Sequence, residues 1–343
     1  MKKKLVLLLF LSVNISIYSQ IGGQGVYQFL NIMSSPRQAA LGGKIITNYD
    51  YDVNQPLFNP ASINTQMDGR LALNYANYFG DVSYGTAAYA YTYDRHLQTF
   101  HGGLTYINYG KFDGRDESGS ATGEFSGSEI ALSMGYAYNV PWTTLYLGAN
   151  AKLISSTLES YQSFGVAADI AALYVDEKND INYGLVLRNF GTQITSYSGN
   201  RERLPLEIIA GVSQELENVP IRWHLTLENL QKWNVSFSNP ARAKQSIDGE
   251  PTQEEVGFLA NASRHIIIGA EFFPKKAFSL RLSYNFRRAA ELKIVEQRTF
   301  SGISAGFGLR FKKFRFDYSY SRFTLASNTS LFGLTVNLYD NNR

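Results

Sequence analysis

The residues best placed to do chemistry lie in the run that starts at Ile221. Arg222, His224, Thr226 and Glu228 occupy its even positions, and Ile221, Trp223, Leu225 and Leu227 its odd ones. On a β-strand successive side chains point to opposite faces, so the polar set shares one face and the apolar set the other. An imidazole beside a carboxylate is the pairing that general acid–base catalysis uses, and a lumen-facing hydrolase is one reading of it. No nucleophile elbow of the hydrolase kind is read beside His224. The competing reading is a hydrogen-bonded salt-bridge network that fills a narrow lumen. Arg281 and Arg287 on one strand, with Asp169, Glu207, Arg310 and Asp317 on others, are its expected partners. The polar network is therefore assigned to Arg222, His224, Glu228, Arg281 and Asp317, without a catalytic role.

Metal chemistry has weaker candidates. His96, His101 and His265 stand singly and lack ligand spacing. Asp50 with Asp52, and Asp113 with Asp116 and Glu117, are oxygen-rich enough for calcium but lack the EF-hand arrangement. There is no cysteine, hence no thiolate site and no disulfide. Neither a metal nor a cofactor is expected.

The elements that must position these residues are strands. From Ile303 to Phe311 every odd position is apolar, with Ser304, Gly306, Gly308 and Arg310 between them. The pattern restarts at Phe314, Phe316, Tyr318 and Tyr320, and again at Phe332, Leu334, Val336 and Leu338. Each run is about ten residues long, the length a tilted strand needs to cross a bilayer. Similar runs are read near 70–80, 83–93, 98–112, 123–139, 143–158, 163–176, 181–193, 203–216, 221–231, 264–274, 278–290, 301–312, 314–323 and 330–338. These are about fourteen strands, an even number as single-chain outer-membrane barrels have.

Connection lengths test this independently. Those after even-numbered runs are short, and those after odd-numbered runs are often long, notably 112–122, 194–202, 232–263 and 290–300. Membrane barrels have short periplasmic turns and longer outer loops, whereas a Greek-key sandwich has no reason to sort its connections. The expected fold is thus an all-β, antiparallel, up-and-down transmembrane barrel over 70–338, with a tail at 339–343 and both termini periplasmic.

Composition agrees. Tyr and Phe number 23 and 22 while mean hydropathy is slightly negative, as in a barrel with an aromatic outer face and a polar lumen. Lys2, Lys3 and Lys4 followed by an apolar run and Ser19 read as a secretory signal peptide over 1–19. The formal charge of +3 falls to zero without those lysines, so there is no electrostatic case for nucleic acid.

Between these parts, 20–69 lacks alternation and is rich in Gly and turn sequences, but Ala39, Ala40, Leu41, Ile45 and Ile46 favour a packed segment. It is read as a plug whose backbone the lumen satisfies. The longest outer excursion, 232–263, offers Trp233, Val235, Phe237 and Phe258 as candidate partner contacts, with a short helix near 254–262.

The segment also carries a resemblance. The stretch from Phe29 to Gly43, with Ser35-Pro36-Arg37-Gln38-Ala39-Ala40-Leu41-Gly42-Gly43, followed by Asn59-Pro60-Ala61, is similar to the PorV/PorQ family of the type IX secretion system of Bacteroidota, barrels of the FadL-like class. The resemblance implies a non-enzymatic outer-membrane subunit of an attachment complex. In that complex it would hold a PorZ-like surface protein beside the PorU sortase and the PorV shuttle. Outer-membrane lipid would surround it. Arg37, Gly42, Gly43, Asn59 and Pro60 would shape the plug. The alternative that the barrel class implies is a transporter of small hydrophobic compounds, which needs an apolar cavity and an opening plug.

Overall fold

The computed structural model describes residues 25–79, 81–94, 98–116, 118–235, 244–245, 251–252, 256–292, 301–322 and 328–339. The expected signal peptide and Phe237 lie outside them, as does the stretch ahead of residue 25.

Strands β1 (Arg70–Phe79), β2 (Val82–Asp94), β3 (Gln98–Arg115), β4 (Ala121–Asn139), β5 (Leu145–Leu158), β6 (Tyr161–Asp176), β7 (Ile181–Thr195), β8 (Glu207–Glu215) and β9 (Ile221–Leu227) run in sequence. A two-residue ribbon, β10 (Lys244–Gln245) with β11 (Pro251–Thr252), interrupts them. Then come β12 (Ile266–Phe272), β13 (Phe278–Asn285), β14 (Ile303–Phe311), β15 (Phe314–Arg322) and β16 (Asn328–Asn337). All but the ribbon form one closed antiparallel barrel of fourteen strands, sealed by β1 against β16 from Arg70↔Asn337 to Asn77↔Ser330. Closure leaves no unpaired backbone edge within the wall, which a membrane requires.

The wall is inverted relative to a soluble protein. On β13, Phe278, Leu280, Leu282 and Tyr284 are exposed, while Ser279, Arg281, Ser283 and Asn285 are buried. The apolar face that a water-soluble sheet would hide points outward here, as it does in lipid.

Several boundaries differ from the sequence reading, including the end of β9 at Leu227 in place of 231. The expected loop at 112–122 is mostly strand, because β3 and β4 continue pairing to Arg115↔Ala121. β13 stops at Asn285, whose side chain accepts the Arg288 N–H and caps a helix over Phe286–Glu291. Arg287 therefore sits on that helix, where it bonds Glu291, and not on a strand with Arg281. β8 begins only at Glu207, after Pro205, which cannot donate to a ladder.

Residues 25–69 pack on the inward side chains. Four 3₁₀ turns and α1 (Pro36–Ala40) break the chain into short pieces. Ser35 caps α1 by accepting the Gln38 N–H, with Pro36 at the first helical position. At one end, the Val26 N–H donates to Arg203 O in the connection from β7 to β8. At the other, Leu338 N–H donates to Gly69 O, where β1 starts and β16 ends. Residue 25 thus lies at the end with the long connections, opposite Leu338. The expectation that both termini share the short-turn end concerns residues outside those described; the first described residues lie at the other end.

Candidate functional site in the barrel lumen

Arg37 is the centre of the site. α1 brings it against β12, and its side chain is 4% exposed. Its guanidinium donates to both carboxylate oxygens of Glu271, at 3.1 and 2.7 Å, and to both of Asp50, at 3.0 and 2.8 Å. Asp52 lies at 3.4 Å. Burial works against the Arg37 charge, but Asp50, Glu271 and Asp52 outweigh it and hold the guanidinium well above its usual pKa. Burial likewise opposes the Asp50 charge, and Arg37 overcomes it, keeping that carboxyl well below the usual carboxylate range.

Glu271 links Arg37 to the wall. It accepts from Arg281 Nε at 2.7 Å, and Arg281 reaches Asp317 at 2.7 Å. Asp317 in turn accepts from Arg315, which also bonds the Tyr51 hydroxyl. Arg222 adds contacts to Asp50 at 3.3 Å and Glu215 at 2.9 Å. The network thus joins segment 25–69 to β8, β9, β12, β13 and β15. Of the residues expected in it, Arg222, Arg281 and Asp317 are members. Glu228 belongs to a second cluster, in which Lys44 pairs with Glu228 and Glu207, and Glu207 meets Arg188. His224 is in neither: its Nδ1 stands 3.4 Å from Thr47 Oγ1, and its Nε2 has no partner among the described residues. Arg310 bonds the Lys275 carbonyl and stacks on Tyr51 instead of joining the network.

Sequence reasoning missed Glu271, Lys44, Lys152 and Arg188. Lys152 pairs with Asp169 and donates to Asn189, closing a third cluster within β5, β6 and β7. The signal for Glu271 was available: it follows Gly269 at a spacing of two on the polar face of a short strand.

The geometry separates the groups that an acid–base site would need together. Glu228 is taken up by Lys44, and His224 bonds Thr47. Gly302-Ile303-Ser304-Ala305-Gly306 does spell G-x-S-x-G, contrary to the reading above. Yet Ser304 lies within extended β14, paired with Ser283 and Ser321, and accepts from Arg288. A nucleophile elbow needs a sharp strand-to-helix turn. Of the carboxylates considered for calcium, Asp50 and Asp52 hold Arg37, Asp116 accepts N–H bonds from Ser118 and Ser120 in its own turn, and Glu117 lies outside the described residues.

The motif residues shape the path of the segment. Gly42 and Gly43 have φ of +97° and +105°, a region that side chains avoid. A Cβ on Gly42 would stand 2.3 Å from Ile267 Cγ2. The Asn59 side chain accepts the Ala61 N–H and donates to the Ile46 carbonyl. Pro60 lies so close to β5 that a Cβ on Gly148 would stand 2.3 Å from its carbonyl carbon.

The outer candidates divide. Trp233 is half exposed and lies between Phe258 and His265, with ring centroids 4.9 and 5.6 Å away. Phe258 opens α2 (Phe258–Ser263) and is exposed. Val235 is buried, which removes it from the expected contact surface.

No family model matches the chain, and no curated protein does. Among solved structures it is similar to the TodX monoaromatic hydrocarbon channel deltaS2 mutant, with a TM-score of 0.53 and 13% identity over 90% of this chain and 98% of that one. It is also similar to a Pseudomonas aeruginosa FadL homologue, with a TM-score of 0.48 and 10% identity over 90% of this chain and 98% of that one. At such identity the likeness shows the fold alone. The chain is a closed fourteen-stranded antiparallel barrel that shares its fold with the TodX channel.

Proposed function

We propose that this chain is a sealed, non-enzymatic outer-membrane barrel of the PorV/PorQ family, closest in role to PorQ, which docks a surface protein of the type IX secretion system. Residues 25–69 act as its plug, and the end with long connections faces the cell exterior. A PorZ-like protein is the proposed surface partner, with PorU- and PorV-like subunits beside it.

The observation that carries the reading is the double carboxylate grip on Arg37. Opening the lumen would separate Arg37 from Glu271 and Asp50 from Arg222, and breaking a buried pair costs about 3–5 kcal/mol. A barrel whose work is done by its outer surface has no need of that opening. The family motif supports the assignment, since its members Arg37, Gly42, Gly43, Asn59 and Pro60 are the residues that fix the segment. The test is affinity recovery of tagged protein from gently solubilised outer membranes, followed by mass spectrometry. Near-equal amounts of PorZ-, PorU- or PorV-like proteins are expected. Recovery of the barrel alone contradicts the docking role.

Fold likeness to TodX favours a second reading, a transporter of small hydrophobic compounds. The register of β6 on β7 shifts between Ala168 and Ile170, an interruption that such a route would use. Lys152, Asp169 and Asn189 fill that interruption with bonded polar groups. Proteoliposomes that take up toluene faster than empty vesicles would establish transport; equal rates favour the sealed barrel.

A further inference from the structure

The β3–β4 hairpin outgrows the barrel. β2 pairs with β3 only up to Ser83↔Asn108, and β5 pairs with β4 only from Gly127↔Leu158. Beyond those points β3 and β4 pair with each other alone, through Lys111↔Ser126, Phe112↔Phe125, Asp113↔Glu124 and Gly114↔Gly123. The ribbon leaves the wall at a register shift beside Gly110, whose φ is +78°. At about 3.4 Å per residue it projects roughly 20 Å. Its tip is fixed by Asp116, whose carboxylate accepts the N–H groups of Ser118 and Ser120. Among the described residues, two sheet edges therefore stand open at the end with long connections.

The two edges differ. The Glu159 N–H donates to Ser126 O, so the backbone groups of Ser126 point away from β3. Directions alternate along a strand and match across an antiparallel pair. The N–H and C=O of Glu124 therefore point to the open β4 edge, and those of Lys111 and Asp113 to the open β3 edge. Charged side chains are a common guard against unwanted strand addition. The β3 edge carries Lys111, Asp113 and Arg115, whereas β4 from Ala121 to Ser126 carries only Glu124, which Lys111 already pairs at 2.7 Å. On the opposite face Phe112 and Phe125 stack with centroids 5.3 Å apart, both exposed.

We propose that the β4 edge of this ribbon is a docking site for an extended strand of another protein, added antiparallel beside Glu124. That strand presents an apolar residue next to Phe125 on one face and a basic or polar residue next to Glu124 on the other. Main-chain bonds give such additions their affinity, and alternate side chains their specificity. A second copy is the wrong occupant for a geometric reason. Two copies in one membrane point the same way, so their β4 edges would run parallel. A two-fold along the membrane normal sets equivalent bonding groups at equal height, whereas a parallel ladder needs them offset by one residue. The site rests on the exterior orientation stated under the proposed function, and not on the identity of the partner named there.

The test places a photo-crosslinking residue at Phe125 (Phe125→p-benzoylphenylalanine) in intact cells. The expected product is an adduct with one different protein. Glu124→Pro removes the outward N–H without touching the inward ladder and lowers the adduct about tenfold, the scale of one main-chain bond. Asp113→Pro, the matching change on the other edge, leaves it unchanged. Gel mobility of the unheated, folded barrel confirms that both variants fold. No adduct, an adduct of two copies, or equal loss in both variants overturns the proposal. Partner recovery from membranes that Glu124→Pro does not affect also overturns the edge, while leaving the docking role standing. A Glu124-dependent adduct from a barrel that purifies without PorZ-, PorU- or PorV-like proteins keeps the edge and removes the named partners.

Discussion

Residues 25–69 meet the two halves of the wall by different means. Toward β8, β9 and β12 the segment is held by charge: Arg37, Lys44 and Asp50 each reach across to a side chain of opposite sign. Toward β4, β5, β6 and β7 it is held by closeness. Ile46 and Ala61 join Ala171, Leu173, Val186 and Ile209 in a buried cluster, Asn150 donates to the Pro56 carbonyl, and the Pro60 carbonyl rests on Gly148. The charges of the second half, Lys152 and Asp169, satisfy each other within the wall. A buried ion pair fixes which groups meet but contributes little net stability, whereas removing one partner is strongly destabilising. Close backbone packing fixes distance and tolerates no added atom. Charge therefore selects which groups meet on one side of the lumen, and backbone against backbone sets the distance on the other.

The charged side predicts the largest effect. Glu271→Gln leaves Arg37, Arg222 and Arg281 converging on a neutral amide. The expected loss is about 3–5 kcal/mol, read as a lower temperature at which the folded barrel converts to its unfolded mobility on a gel. Coupling to Arg281 should appear in a double-mutant cycle, because Glu271→Gln with Arg281→Met removes one surplus charge. Additive losses would mean that the two residues do not share a network.

On the packed side the expected loss is smaller and depends on position. Gly148→Ala sets a methyl against backbone at 2.3 Å, which no rotamer change relieves, and costs about 1–3 kcal/mol. Gly269→Ala is the control, since its nearest neighbours stand at 3.4 Å, an ordinary contact. Equal melting of the two variants would break the contrast between the halves.

How far this was readable in the sequence follows from the same contrast. Strand number and order were legible because alternation over ten residues is a property of each strand alone, as on β13 and β15. Arg222, Arg281 and Asp317 were legible as network members for the same reason. Glu271 escaped because β12 is short and its polar face reads Ile267, Gly269, Glu271, with an apolar residue at its head. Arg287 was misplaced because Asn285 ends the strand through a side-chain cap, a local bond that outweighs the hydrophobic pattern. Lys44 pairs with groups more than 160 residues away. Nothing near it in the chain announces them.

Acid should act late. Asp50 has a folded pKa below its ordinary value of 3.8, so it binds fewer protons folded than unfolded. Its contribution is fully present above the unfolded value and is lost only as pH falls through the folded one. Protease resistance of residues 25–69 should therefore hold between about pH 7 and about pH 4 and weaken only below. Loss near pH 6, above the range in which Asp50 titrates, would break this explanation.

The smallest effect on stability is expected from peptide tags, and they decide the direction of the segment. Val26 bonds the β7–β8 connection while Gly69 meets Leu338 at the other end. A tag inserted between Gln24 and Gly25 should therefore label from outside intact cells, together with one at Ser118 on the hairpin tip. One at Asn179, in the short turn from β6 to β7, should label only after permeabilisation. If the tag ahead of Gly25 behaves like Asn179, the segment enters from the turn end and its bond to Arg203 is wrong. If all three label together, the assignment of the barrel's two ends fails and the ribbon does not face the cell exterior. Exterior labelling at Gly25 and Ser118 alone fixes one consequence for folding: the strands must close around a segment whose leading end already lies at the far mouth.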